Sequence, residues 1–209
     1  MSLESPRLIL ASSSRYRREM LGRLGIPFAS VAPDVDETPH SGEPPHALAL
    51  RLSIEKAQTV AKRYPGAIVI GSDQVATIDG APLGKPGNFE RAREQLRSMS
   101  GRTVDFHSAL AVTDGEQIEH ADIVTQCRFR KLSEAAIEAY LNKEQPYDTA
   151  GSAKAEGLGI ALMSGMTSDD PTAIIGLPLI ALTGMLARFG LDPLLFAAQT
   201  LARTPKAAL

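Results

Sequence analysis

The sequence predicts an α/β fold, and three observations carry that reading. Short apolar runs at Arg7-Leu8-Ile9-Leu10-Ala11 and Ala67-Ile68-Val69-Ile70 have the length and composition of buried strands. Segments with helical spacing and recognisable ends lie between and after them. Two longer strand-like stretches, Thr103 to Thr113 and Gln117 to Arg130, meet at Asp114-Gly115, a hairpin signal. Strands alternating with helices in this way favour a layered sheet-and-helix domain.

Taken in order, the first strand leads through Ser12-Ser13-Ser14 into a helix from Arg15 to Leu24, which Gly25 ends in the manner of a C-cap glycine. Phe28 to Val35 reads as a second strand running into the acidic loop Asp34-Val35-Asp36-Glu37. Pro44-Pro45 precedes a long helix from His46 to Arg63. The strand at Ala67–Ile70 is expected to stop at Gly71-Ser72-Asp73. Asn88 caps a helix from Phe89 to Met99, which Gly101 ends, and Ser133 caps another running to Asn142. A glycine-rich stretch, Ala150 to Gly159, is followed by a strand from Ile160 to Met163 and a helix from Pro178 to Phe189. Residues 192–209 form an apolar tail of ambiguous structure, and the whole of 1–209 reads as a single domain with two lobes around a cleft.

Composition narrows the function classes. The chain has 209 residues, 44% hydrophobic and 22% charged, as an ordinary globular domain does. Its formal net charge of −2 argues against affinity resting on a nucleic-acid backbone, so any anion site must be local. One cysteine, Cys127, allows no intrachain disulfide, and the four histidines form no zinc-like cluster. The first residues lack a basic region followed by an apolar core, and no apolar run reaches the roughly 18 residues of a membrane span. A reducing cytoplasm is the expected compartment, with no membrane partner and no stable nucleic-acid partner.

Chemistry can reside in a few places. Unpaired N–H groups and the helix dipole make the start of the first helix an anion site, to which Ser12, Ser14 and Arg17 add donors. The same serines also read as an ordinary helix cap beside solvated arginines. Lys56 interrupts the stripe Ala49, Leu52, Val60, where it either extends to the surface or reaches a cleft. Asp73, just past a strand end, lies where open α/β sheets hold ligands, although turn aspartates are common. Glu37 offers a second carboxylate, and two carboxylates with phosphates suit Mg²⁺. Lys85, in Leu83-Gly84-Lys85-Pro86, is a phosphate donor or a plain surface lysine. Neither a Gly-x-x-x-x-Gly-Lys-Ser/Thr loop nor a Gly-x-Gly-x-x-Gly turn is present, which removes support for a generic kinase or dehydrogenase.

Seven segments in order, Leu10 to Arg18, Asp36-Glu37, Glu55-Lys56-Ala57, Gly71 to Val75, Gly84-Lys85-Pro86, Ala150-Gly151-Ser152 and Gly176 to Leu179, together resemble the Maf family of nucleotide pyrophosphatases. The resemblance covers Leu8 to about Phe189. It implies an elongated mixed sheet flanked by helices around a central cleft, like that of inosine triphosphate pyrophosphatases. It also implies a divalent cation (Mg²⁺ or Mn²⁺), a nucleoside triphosphate substrate and a homodimer. By position, Asp73 matches the family's proton acceptor. Ser12, Ser14, Arg17, Lys56 and Lys85 match its phosphate cleft, and Glu37, with Asp73, its metal site. Arg15 stands where many members have proline, a small change at the start of the helix.

Within the family, Tyr16, Gln74 and Glu156 resemble the branch acting on 7-methyl-GTP. The branch acting on dTTP and UTP typically has arginine, threonine and glutamine there. Physics is consistent with the first, since N7 methylation makes guanine cationic and both an aromatic face and a carboxylate attract a cation. The alternatives are a dTTP/UTP or broad-specificity pyrophosphatase and a nucleotide-binding regulator without turnover.

Overall fold

A computed structural model describes residues 7–203 of the chain. One seven-stranded sheet organises them. Its parallel part is built from β1 (Arg7–Ala11), β2 (Phe28–Ser30) and the first half of β3 (Ala67–Ile78), in the order β2-β1-β3. The antiparallel part continues through β5 (Thr103–Thr113), β6 (Ile118–Phe129) and β7 (Met163–Thr167), while β4 (Ala81–Leu83) folds back on the end of β3. The helices are α1 (Arg15–Gly22), α2 (Pro45–Arg63), α3 (Phe89–Met99), α4 (Glu134–Glu144), α5 (Leu179–Arg188) and α6 (Pro193–Arg203). The expected mixed α/β architecture is therefore present.

Several boundaries differ from the sequence expectation. β2 is three residues long rather than eight, because β1 ends at Ala11 and, past the bond from Val31 N to the Leu10 carbonyl, leaves Ala32 to Val35 no strand to pair with. The stretch expected as a strand at Ile160–Met163 is a 3-10 turn, Leu158–Leu162, and the strand begins at Met163. The tail holds α6, and its last six residues lie outside those described, as do the first six of the chain. The largest difference concerns β3. It does not stop at Gly71 but runs to Ile78, since β5 pairs with it from Val69↔Thr113 to Thr77↔Asp105. Asp73 is thus a mid-strand residue. It still lies beyond the parallel region, two residues past the last β1 pair, Ala11↔Gly71.

The two faces of β3 bear different loads, because side chains alternate along a strand. On one face Ile68 and Ile70 join Leu110 and Val112 in a core closed by α1 and α5. Further along the same face Ala76 and Ile78 join Val104 and Phe106 in a second core closed by α3 and α4. Between these cores lies a polar belt of Ser72, Gln74 and Ser108. On the other face α2 lies directly on the sheet. A Cβ at Gly71 would sit 2.1 Å from the Ser53 carbonyl oxygen and 2.7 Å from Ala57 N, so only glycine allows this approach. Among the described residues no single helix is long and apolar enough to cross a membrane.

Candidate active site

The close approach of α2 at Gly71 sets the centre of the site. Lys56 belongs to the same helical face as Leu52 and Val60, all of them buried, and it reaches over the strand two residues beyond Gly71. Its Nζ lies 2.6 Å from Asp73 Oδ1 and 2.6 Å from Glu37 Oε1. Of the two open readings of Lys56, the surface-reaching one is excluded, since its side chain is 5% exposed. Glu37 arrives from the irregular loop after β2 and is more than half exposed. Burial pushes its carboxyl up, but the Lys56 hydrogen bond and charge, with Lys85 and Arg17 beyond, hold it below the usual carboxylate range.

Arg17 enters from α1. Ser14 caps that helix, its Oγ accepting from Arg17 N at 3.4 Å, and Ser12 Oγ accepts from Ser14 N at 3.1 Å. Ser14 therefore does serve as the cap, and the same backbone places both serines on the cleft wall. Arg17 Nε donates to the Gly176 carbonyl at 3.0 Å. Burial lowers the Arg17 pKa, against the opposing pull of Asp73 and Glu37.

The Gly176 carbonyl is fixed by the polar belt. Ser72 Oγ donates to it at 3.1 Å, Ser108 Oγ donates to Ala173 O at 2.7 Å, and Gln74 Nε2 reaches Ala173 O at 3.1 Å and Ile174 O at 3.2 Å. Two carbonyl partners require the Gln74 nitrogen at that end, which leaves its amide oxygen as the group available to a ligand. The segment Ala173–Gly176 thus hangs on the sheet between the two cores and holds Arg17 in place.

Ser12, Ser14, Tyr16, Arg17, Glu37, Lys56, Asp73, Gln74 and Lys85 all line one cleft of about 1040 Å³. Lys85 is exposed on its wall. Its loop is tied down by Gln95 of α3, which donates to Gly84 O at 2.9 Å and accepts from Ser152 Oγ at 2.5 Å. Glu156 does not line the main cleft. It borders a smaller recess of about 110 Å³ that shares Ser14, Tyr16, Arg17, Gln74, Lys85 and Asp148 with the cleft. Tyr16 carries the Arg15 guanidinium 5.4 Å from its ring centroid, so one face of the ring already meets a cation.

Sequence reasoning missed the far wall, where Glu144, Tyr147, Asp148 and Lys154 line the cleft. A usable signal was there, since Glu144 and Asp148 flank Gln145-Pro146-Tyr147 just before the glycine-rich stretch that contains Lys154. It also missed Ser72 and Ser108, whose partners lie 104 and 65 residues away. Among the described residues no group of three or more histidines, cysteines, aspartates and glutamates converges as a metal site would require. Glu37 and Asp73 meet at the Lys56 ammonium and are the two carboxylates there that could hold a cation. That set suits a cation that takes its remaining ligands from phosphate and water.

Known proteins resemble this chain over most of its length. The chain is 73% identical over 191 residues to a 7-methyl-GTP pyrophosphatase of Bordetella avium, covering 91% of this chain and 97% of that one. It is 73% identical over 189 residues to the 7-methyl-GTP pyrophosphatase of Bordetella pertussis, covering 90% and 95%. A 7-methyl-GTP pyrophosphatase of Cupriavidus pinatubonensis is 60% identical over 187 residues, covering 88% and 94%. Among solved structures, the Staphylococcus aureus Ham1 protein overlaps with a TM-score of 0.44 at 16% identity, covering 60% of this chain and 72% of that one. The family profile described as Maf-like protein matches residues 7–189, and the chain belongs to that family.

Proposed function

We propose that this protein hydrolyses nucleoside triphosphates to the monophosphate and pyrophosphate, with 7-methyl-GTP as its preferred substrate. One observation carries the proposal: Asp73 and Glu37 meet at Lys56, each 2.6 Å away, in a cleft whose walls hold Arg17, Lys85 and the serines that open α1. A carboxylate beside clustered cations suits water attack on a phosphorus atom. Asp73 takes the proton of the attacking water, and Arg17, Lys56 and Lys85 offset charge on the phosphate oxygens. The helix start at Ser14 adds backbone donors. Glu37 and Asp73 would hold Mg²⁺ or Mn²⁺, which supplies charge neutralisation on the phosphates when bound. The relatives named as 7-methyl-GTP pyrophosphatases support the reaction class and the base.

Base preference is assigned to the recess. Tyr16 offers the ring face that Arg15 leaves open, Gln74 its amide oxygen, and Glu156 a carboxylate for a cationic purine. A homodimer, on the strength of the family resemblance, and a single domain in a reducing cytoplasm, on the strength of chain length and cysteine usage, complete the proposal. The test is pyrophosphate release measured over a panel of normal and modified triphosphates with Mg²⁺ and with Mn²⁺. We expect 7-methyl-GTP to lead GTP, and both to lead dTTP. Leadership by dTTP or UTP would move the chain to the other branch, and binding without turnover would make it a regulator.

A further inference from the structure

Glu156 sits on a short loop, and both ends of that loop are held by α4. At its start, Lys154 N donates to Tyr140 Oη at 3.0 Å, and Lys154 Nζ donates to the Glu144 carbonyl at 3.2 Å. At its end, Leu158 N donates to Glu144 Oε1 at 2.9 Å. Tyr140 and Glu144 are four residues apart on one helix and so share a face. The loop is also closed on itself. Gly157 N donates to Lys154 O at 3.0 Å, and a Cβ at Gly159 would lie 2.4 Å from that same oxygen. A Cβ at Gly157 would lie 3.0 Å from Glu144 Oε1, so the carboxylate lies directly against the loop.

We infer that Glu144 and Tyr140 are positioning residues for base selection. They fix the loop 154–158 from both ends and so set where the Glu156 carboxylate stands at the recess. This rests on the reading of Glu156 as a base contact. Glu144 touches the cleft but not the recess, and its effect on the base passes through the backbone it holds. The bond it makes is acceptance from an N–H, which a glutamine oxygen can also provide.

The experiment measures kcat/KM for 7-methyl-GTP and for GTP in the wild type, Glu144→Ala, Glu144→Gln, Tyr140→Phe and Glu156→Gln, and in Glu144→Ala combined with Glu156→Gln. Glu144→Ala is expected to lower the 7-methyl-GTP to GTP ratio about three- to tenfold, the scale of one lost hydrogen bond. The loss should fall on KM for 7-methyl-GTP, with kcat close to wild type. Glu144→Gln should restore the ratio. Tyr140→Phe keeps the packed ring, removes the other anchor and should lower the ratio independently. In the double variant the two losses should not add, because both act on one contact. A ratio lowered by Glu156→Gln but unchanged by both Glu144→Ala and Tyr140→Phe overturns the positioning role alone. Fully additive losses do the same. A ratio unchanged by Glu156→Gln overturns the base contact on which the inference stands.

Discussion

At the scale of single residues, the account turns on which groups Lys56 and Asp73 meet. Asp73→Asn keeps shape and removes the proton acceptor, so kcat should fall by about 10²–10⁴. Nucleotide affinity, read by calorimetry, should persist, and a near-normal kcat would take Asp73 out of the chemistry. Lys56 and Lys85 should behave differently although both face the cleft. Lys56 is buried between two carboxylates, and removing one partner of a buried pair costs roughly 3–5 kcal/mol. Exposure of Glu37 puts Lys56→Met at or below the low end of that range, with activity lost as well. Lys85 is exposed, so Lys85→Ala should change stability by no more than about 0.5 kcal/mol while raising KM for the triphosphate. Chemical denaturation beside steady-state kinetics separates the two, and equal melting losses would contradict the burial difference. The stripe broken by Lys56 was visible in the sequence. The pairing of Lys56 with its partners was not, since Glu37 comes from an irregular loop and Asp73 from a part of β3 that is held by pairing with β5.

At the scale of elements, local chemistry was legible and distant pairing was not. Asn88 and Ser133 cap α3 and α4 through bonds to residues three ahead, and Asp114 Oδ1 accepts from Glu116 N and Gln117 N in the hairpin turn. Such signals lie within a few residues of one another. The extension of β3 past Gly71 depends on β5 residues 28 to 38 positions away, from Ser72↔Leu110 to Thr77↔Asp105, and its local sign, the Asp79-Gly80 hairpin turn into β4, marks only the last three residues of the strand. The seat of α2 gives a direct test. Gly71→Ala places a methyl 2.1 Å from a backbone oxygen, so the helix must lift and carry Lys56 away from Asp73. Overpacking of this kind costs about 1–3 kcal/mol, and kcat should fall with it. Unchanged melting and turnover would show that the approach is looser than described. A second test concerns β5, the strand beside β3, where His107 pairs opposite Val75 and its Nδ1 lies 2.7 Å from Asp122 Oδ2. That bond raises the His107 pKa, with burial opposing and the charges of Asp122 and Asp105 assisting. A raised folded-state pKa stabilises fully below the unfolded value of about 6.5, and the benefit is lost as pH rises through the folded value. The Tm difference between wild type and His107→Gln should therefore be largest near pH 6 and shrink above neutrality. A constant difference would contradict the ion pair.

At the scale of the whole molecule, two cores share one face of the sheet, and the polar belt between them anchors the segment that holds Arg17. The cleft runs along the place where parallel strands give way to antiparallel ones, with α1, the Glu37 loop, α2 and the Lys85 loop reaching it and Ile174 to Gly176 bordering the recess beside it. A formal charge of −2 for the chain conceals this local gathering of cations. The α/β class was legible because alternating strands and helices leave periodic traces. Convergence of these segments on one cleft was legible only through the resemblance of ordered motifs, because no local pattern encodes contacts across a hundred residues. The central claim is that water attacks the α-phosphorus of a nucleoside triphosphate at Asp73. Turnover of 7-methyl-GTP in ¹⁸O-labelled water, with the products analysed by mass spectrometry, tests it most directly. Label is expected in 7-methyl-GMP, with unlabelled pyrophosphate and with turnover reduced about 10²–10⁴-fold in Asp73→Asn. Label in pyrophosphate, or release of orthophosphate as the first product, would contradict it.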